Sequence, residues 1–237
     1  MDVAIIDRRN IVEDIQNIHK DYVLILDTAE KVDRNVLDKY NDKDDADIII
    51  FDYVNIYQDS FVEIKKANTY NLSSRQMIKP MLSGQYSACL RNKIFRKSLL
   101  SKINDTNISD FGKYLDLAIC IESFSLGCKV KYVSEVLSSK KIDKKRTIGG
   151  TNDFIIETIE DIRSYDLLYK KICPLLCDKD REFLYDIVAK MKNGWVSDGL
   201  IKRTEFNRYA SIPLRSLMHQ PWSRETLLLY VLSYLRK

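Results

Sequence analysis

Residues 22–33 read YVLILDTAEKVD, and the fold turns on this stretch. Tyr22–Leu26 is a short apolar run with the length and β-branched content of a buried strand. It ends abruptly at Asp27, and Glu30 follows three residues later. Two readings fit. A carboxylate at the carboxyl end of a buried strand is placed to hold a metal or a nucleotide. Alternatively, Asp27 is a helix-capping residue and Glu30 takes the capping-box position.

Working outward, Val3–Ile6 is a second short apolar run, and AIID, residues 4–7, places Asp7 at its end. Asn10–His19 has helical spacing at Ile11, Ile15 and Ile18. Lys31–Tyr40 is expected to be a helix on the face of Val32, Val36, Leu37 and Tyr40, and Asp47–Tyr53 is a third apolar strand. Strand, helix, strand, helix, strand is the order of an α/β layer with a largely parallel sheet. Residues 55–71 are expected to hold an extended stretch and a turn. Helices are predicted over Gln76–Ser83, Ala88–Ile103 and Lys113–Leu126, the last closed by Gly127 as a C-cap. Lys129–Val133 alternates as a short strand, and Ser138–Gly150 reads as a polar, basic loop.

Beyond Thr151 only helical periods occur, at Asp153–Tyr169, Asp178–Asn193 and Arg224–Arg236. A boundary at Gly149-Gly150 therefore divides the chain into an α/β domain, 1–150, and a helical region, 151–237. The last stretch, SIPLRSLMHQPWSRETLLLYVLSYLRK (211–237), has Leu227, Leu228, Leu229, Val231, Leu232 and Leu235 nearly all round one helix. Such a helix is buried, either in the chain's own core or against a partner or membrane surface that Arg215, Arg224, Arg236 and Lys237 would face.

Composition narrows the classes. Over 237 residues, 45% are hydrophobic and 30% charged, an ordinary globular balance, and Gly (7) and Pro (4) are too few for collagen-like or low-complexity chains. A net charge of +4 without aromatic-interleaved basic clusters gives no sign of nucleic-acid binding. The five cysteines, Cys89, Cys120, Cys128, Cys173 and Cys177, read as reduced thiols of a cytosolic protein. With only His19 and His219 as further ligands, the CPLLC spacing of Cys173 and Cys177 is not read as a zinc site. No signal-peptide core or bilayer-length run is present, so the expected location is the cytoplasm, with contact at the inner membrane surface left open.

The order VLILD, DADIIIFDY, LRNKIFRKSLL, YLDLAICIESFSLGCKVKYVSEVL and a basic loop resembles glycosyltransferase family 2, enzymes of bacterial polysaccharide synthesis with the GT-A fold. In that family a strand ends in an acidic "DSDD"-like motif. A "wNKlfrrelL" helix comes next, and an "ED" helix leads into "G-kv-yv-evL". The resemblance covers residues 21–145 and implies a trimmed GT-A-like, Rossmann-like mixed sheet flanked by helices, with an α-helical C-terminal region. It also implies an activity: an inverting transfer of a sugar from a nucleotide-sugar donor to a glycan acceptor hydroxyl.

The implied chemistry assigns residues. A departing nucleoside diphosphate develops charge that a carboxylate-held divalent cation neutralises, and Mg²⁺ or Mn²⁺ suits oxygen ligands. The resemblance gives this metal to Asp27 and Glu30, places Asp7 beside the nucleotide, and makes Lys144, Lys145 and Arg146 of the run KKIDKKR a phosphate clamp. The acceptor proton needs a general base. Ungapped matching from Gly127 and KVKYV puts the "ED" pair at Leu115-Asp116, so Asp116 is the candidate base, while an anchor on Phe111-Gly112 would give Lys113-Tyr114 and no base. Read without the resemblance, Asp116 is a solvated residue near a helix N-terminus, and Arg91, Lys93, Arg96 and Lys97 are a solvated helix face.

Three departures stand beside these matches. Ala29 replaces the second acid, Leu115 replaces the Glu, and only residues 1–26 precede Asp27, so the units that bind the base and ribose are expected to be shortened. Two functions follow. One is the metal-dependent inverting transferase. The other is a non-catalytic, transferase-like pseudoenzyme that completes or docks onto another transferase, or onto its own copy, through the C-terminal helices.

Overall fold

The structure is a computed structural model that describes residues 2–39, 45–57, 61–67, 72–103, 111–112, 114–142, 164 and 167–184. The chain divides into two compact units. One comprises Met1–Ser109 and Leu115–Arg146, the other Asp110–Tyr114 and Thr147–Lys237. Lys144, Lys145 and Arg146, the Gly149-Gly150 boundary and the terminal helix lie outside the described residues.

The first unit is a mixed α/β layer. Its elements are β1 (Val3–Asp7), α1 (Ile11–Asn17), β2 (Tyr22–Leu26), β3 (Glu30–Val32), α2 (Arg34–Lys39), β4 (Ile48–Tyr57), β5 (Val62–Lys65), α3 (Ser74–Leu82), β6 (Lys93–Arg96), α4 (Lys97–Leu100), α5 (Leu115–Ser125) and β7 (Val130–Ile142). The sheet runs β1-β2-β6-β4-β7-β3, with β5 hairpinned onto β4. β1 and β2 are parallel, as are β4 and β7. β6 lies antiparallel between β2 and β4, and β3 antiparallel on the edge of β7.

Burial explains the central strands. Val23, Leu24 and Ile25 of β2, Ile48, Ile49 and Phe51 of β4, and Ile94 and Phe95 of β6 are fully buried, so both faces of the sheet are covered there. Unbroken apolar runs suit a two-sided core. On one face Leu24, Ile49, Phe51 and Ile94 cluster with Leu37 of α2 and Leu137 of β7. α3 packs against α5, with Met77, Ile78, Met81, Ile119, Ile121 and Phe124 buried. α5 ends where Gly127, at φ +73°, donates its N–H to the Phe124 carbonyl at 3.2 Å, a left-handed position that favours glycine.

Three segments differ from the sequence reading. Ala88–Ile103 is not one helix. A single turn of 3₁₀ helix at Leu90–Asn92 leads into β6, and a short α4 follows. The apolar positions fit a helical period, but adjacent Ile94 and Phe95 face opposite sides of a sheet buried on both. The polar residues before them are buried too. Lys93 is 1% exposed, and its ammonium donates to the Ser87 and Cys89 carbonyls and to Asn92 Oδ1, at 2.9, 2.7 and 2.8 Å. Asn92 in turn donates to the Phe51 carbonyl of β4 at 2.8 Å. Full satisfaction of all three ammonium protons makes burial of this lysine tolerable.

Lys31 and Val32, expected in a helix, belong to β3, and that helix begins only at Arg34. Ser138–Ile142, expected in a loop, continues β7. Register shifts between Phe51 and Tyr53 of β4 give β7 its extra residues, and beyond them Glu30 of β3 stands directly opposite Lys140 of β7.

The second unit has helical residues at 167–172 and 178–184, joined through a 3₁₀ turn at Cys173–Leu175, with Leu168, Ile172, Leu176 and Leu184 buried. No helix among the described residues is long and apolar enough to cross a membrane.

Truncating Phe95 tests the placement of β6 in the core. Phe95→Ala should destabilise the chain by about 3–5 kcal/mol, the range for deleting a fully buried aromatic ring, as measured by urea unfolding.

Candidate functional site

The acidic residues singled out in the sequence come from separate elements at one end of the sheet. Parallel pairing sets Asp7 opposite Leu26, so Asp7 ends β1 beside the end of β2, and Asp27 follows immediately. Asp116 is the second residue of α5. Arg8 links them. Its Nε lies 2.7 Å from Asp116 Oδ1, and its charge also stabilises the carboxylate of Asp27.

The DTAE turn is closed from both sides. The Glu30 N–H donates to the Asp27 carbonyl at 2.9 Å, and the Asp27 N–H donates to Glu30 Oε2 at 2.9 Å. The second bond is one half of a capping box, but the first is the backbone bond of a β-turn, since the Asp27 side chain turns to Thr28 instead, and the chain leaves the turn as β3 rather than as a helix. Asp27 Oδ1 accepts the Thr28 N–H at 2.7 Å and the Thr28 hydroxyl at 3.3 Å. Its Oδ2 faces Lys140 Nζ at 3.6 Å. Glu30 is 10% exposed, and its Oε1 lies 3.3 Å from Lys140 Nζ and 3.5 Å from Arg91 Nη1. Arg91, 5% exposed, rests its guanidinium over the Tyr53 ring, 4.6 Å from the centroid, and donates to Asn55 Oδ1.

The charge states differ in direction. Hydrogen bonds from the Arg9 side chain and backbone N–H hold the Asp7 carboxyl at about 2. For Asp27, burial is the largest single influence and pulls upward, but the Thr28 N–H, Lys140, the Thr28 hydroxyl and Arg8 together hold it below the usual value. Asp116 lies above the usual range. Burial raises it, the charge of Glu30 adds to the rise, and Arg8, the Leu90 N–H at 3.3 Å and Lys93 only partly offset it. A carboxylate whose proton affinity is raised by burial and by a neighbouring like charge has the properties of a proton acceptor.

Asp7 is engaged by Arg9 and caps the 3₁₀ turn at Arg8–Asn10. The expected solvated face is half buried: Arg91 and Lys93 lie in the interior, and Arg96 is paired to Asp45 and Asp47. Sequence reading missed Arg8 and Arg91 as members of the acidic cluster and put Lys140 in a loop. Arg91 had one signal, its place just before the NKIF motif; Arg8 follows Asp7 directly but carried none. Two of the thiols are held protonated: burial pushes Cys120 up to about 12 and Cys128 to about 11. A cleft of about 440 Å³ between Ser73–Arg75 and Gly127–Val130 lies at the opposite end of β7 from Lys140.

These residues do not fit the divalent cation implied by the resemblance. Mg²⁺ or Mn²⁺ needs several unencumbered oxygens. Asp27 Oδ1 and Glu30 Oε2 accept backbone N–H groups, and the remaining oxygen of each faces an ammonium. Among the described residues no three His, Cys, Asp or Glu side chains are grouped to hold a metal ion.

By comparison with known proteins, no protein-family model and no curated protein matches the sequence. Solved structures do. TarS of S. aureus, residues 1–349 in complex with UDP, superposes with a TM-score of 0.50 at 13% identity over 91% of this chain. A second structure of TarS 1–349 gives 0.49 at 14% identity over 94% of this chain. The match spans 63% and 64% of those TarS chains, so this chain covers less than two thirds of their length. The likeness establishes a glycosyltransferase-like fold: a mixed sheet flanked by helices.

The three carboxyls should titrate apart. In carboxyl-detected NMR, Asp7 should have its midpoint at about 2, Asp27 below 3.8 and Asp116 above it. The signs of the linkage oppose. Asp7 and Asp27 contribute stability present above the unfolded value of 3.8 and lost as pH falls through their lower folded values. Asp116 contributes stability present below 3.8 and lost as pH rises through its higher folded value. Asp7→Asn should therefore flatten the acid side of the stability curve between 3.8 and about 2, measured by thermal melts against pH. An unchanged slope would contradict the Asp7–Arg9 pairing.

Proposed function

We propose that this chain is a glycosyltransferase-like protein of bacterial surface polysaccharide synthesis, transferring a sugar from a nucleoside-diphosphate donor to an acceptor hydroxyl with inversion. The observation that carries the reading is Asp116. It is an aspartate of raised proton affinity beside Arg8, whose charge also reaches Asp27 at the end of β2. In the reaction the acceptor oxygen attacks the anomeric carbon opposite the diphosphate. The bond to the diphosphate oxygen breaks, and the nucleoside diphosphate leaves with the bonding pair. Asp116 takes the acceptor's proton. Arg8 keeps the carboxylate oriented, and the Leu90 N–H fixes its second oxygen. The buried Asn92–Lys93 network anchors the segment from Ser87 to Cys89, which leads to that N–H. The glycosyltransferase-like fold supports this reading, and UDP, bound in one TarS structure, is the first nucleotide to try.

A second reading, a non-catalytic partner that completes another transferase, is favoured by one observation: Asp27, Glu30 and Asp116 each already face a cation within the chain.

Calorimetry with UDP and GDP, then transfer assays with their sugar conjugates, separate the two. For the transferase, Asp116→Asn should lower kcat by roughly 10²–10⁴-fold while nucleotide affinity changes little. In the unsubstituted chain, kcat should rise with pH through the folded value of Asp116, because only the ionised carboxylate accepts a proton. Absence of heat with either nucleotide, together with co-purification of a second transferase, would favour the partner.

A further inference from the structure

We infer that Lys140 is a built-in counter-ion, its ammonium standing between Asp27 and Glu30 in the place of a divalent cation. The sheet register fixes it there. β3 pairs with β7 so that Glu30 and Lys140 are directly opposite, a cross-strand pair of opposite charge. The ammonium lies 3.3 Å from Glu30 Oε1 and 3.6 Å from Asp27 Oδ2. Those are the oxygens left over once the Thr28 and Asp27 N–H groups have taken the others.

The charge around the rim closes as well. The acids Asp7, Asp27, Glu30 and Asp116 meet the cations Arg9, Lys140, Arg91 and Arg8. A divalent ion added to this set would leave two excess positive charges beside three buried or half-buried cations. Removing Lys140 would leave two convergent carboxylates short of one charge. Lys140, about one-third exposed, is also the cation that an approaching diphosphate meets; this part rests on the proposed transferase reading.

The test uses the whole chain with Mn²⁺ alone as probe, read by electron paramagnetic resonance. The unsubstituted chain and Lys140→Arg should bind Mn²⁺ weakly and alike. Lys140→Met should bind it tighter by about tenfold or more, and adding Glu30→Gln should abolish the gain. Mn²⁺ binding by the unsubstituted chain as tight as by Lys140→Met would overturn the inference. So would a gain in Lys140→Met that survives Glu30→Gln. In a second arm, UDP should bind equally well in EDTA and in Mn²⁺, and about tenfold more weakly to Lys140→Met in EDTA. A strict Mn²⁺ requirement would also overturn it. If UDP binds no form under any condition, the transferase reading fails, and the Mn²⁺ comparison still decides the role of Lys140.

Discussion

Carboxylates gathered at the end of a sheet repel one another, and in a partly buried place that repulsion is weakly screened. The structure meets this constraint with cations delivered from different elements. Arg8 comes from the turn after β1, Arg91 from the turn before β6, and Lys140 from β7. Each depends on a feature of the fold. Arg8 is placed by the Asp7 cap of its own turn. Arg91 is held over Tyr53 once Asn92 and Lys93 are locked against β4. Lys140 reaches Glu30 only because the irregular register of β4 and β7 carries β7 past its expected end. Slip any of these and the acids at this end of the sheet outnumber their cations by one.

The same constraint separates the roles of the acids. Asp7 and Asp27 are held ionised, Asp7 by Arg9 and Asp27 by Thr28, Lys140 and Arg8. Asp116, more deeply placed at the start of α5, is the one whose proton affinity rises. Glu30 joins the two groups. It bonds back to Asp27, pairs with Arg91 and Lys140, and its charge is felt at Asp116. Acids pushed apart in this way are how one site holds a fixed charge and a proton acceptor together.

Much of the frame was legible in the sequence. Tyr22–Leu26 is a strand over its expected span, and Val3–Ile6 and Asp47–Tyr53 gave the first strand and the start of the fourth, because unbroken apolar runs of that length have few other uses. NKIFRKSLL was misread because its apolar spacing satisfies a helix and a buried strand alike; the deciding facts, burial of Asn92 and Lys93, depend on partners distant in the chain. β3 has three residues, too few to show a period, and the far half of β7 is polar at its surface. Asp27, Glu30 and Asp116 could be picked by residue type and motif order. Arg8, Arg91 and Lys140 could not be assigned to them, because a cation's partner is set by register and turn geometry.

The central claim is that Asp27, Glu30 and Asp116 share one electrostatic environment at the end of the sheet. The most direct measurement is the carboxyl titration of Asp116 before and after Glu30→Gln. Removal of the like charge should lower the Asp116 midpoint toward 3.8. A midpoint that does not move would place the two carboxyls apart and contradict the account.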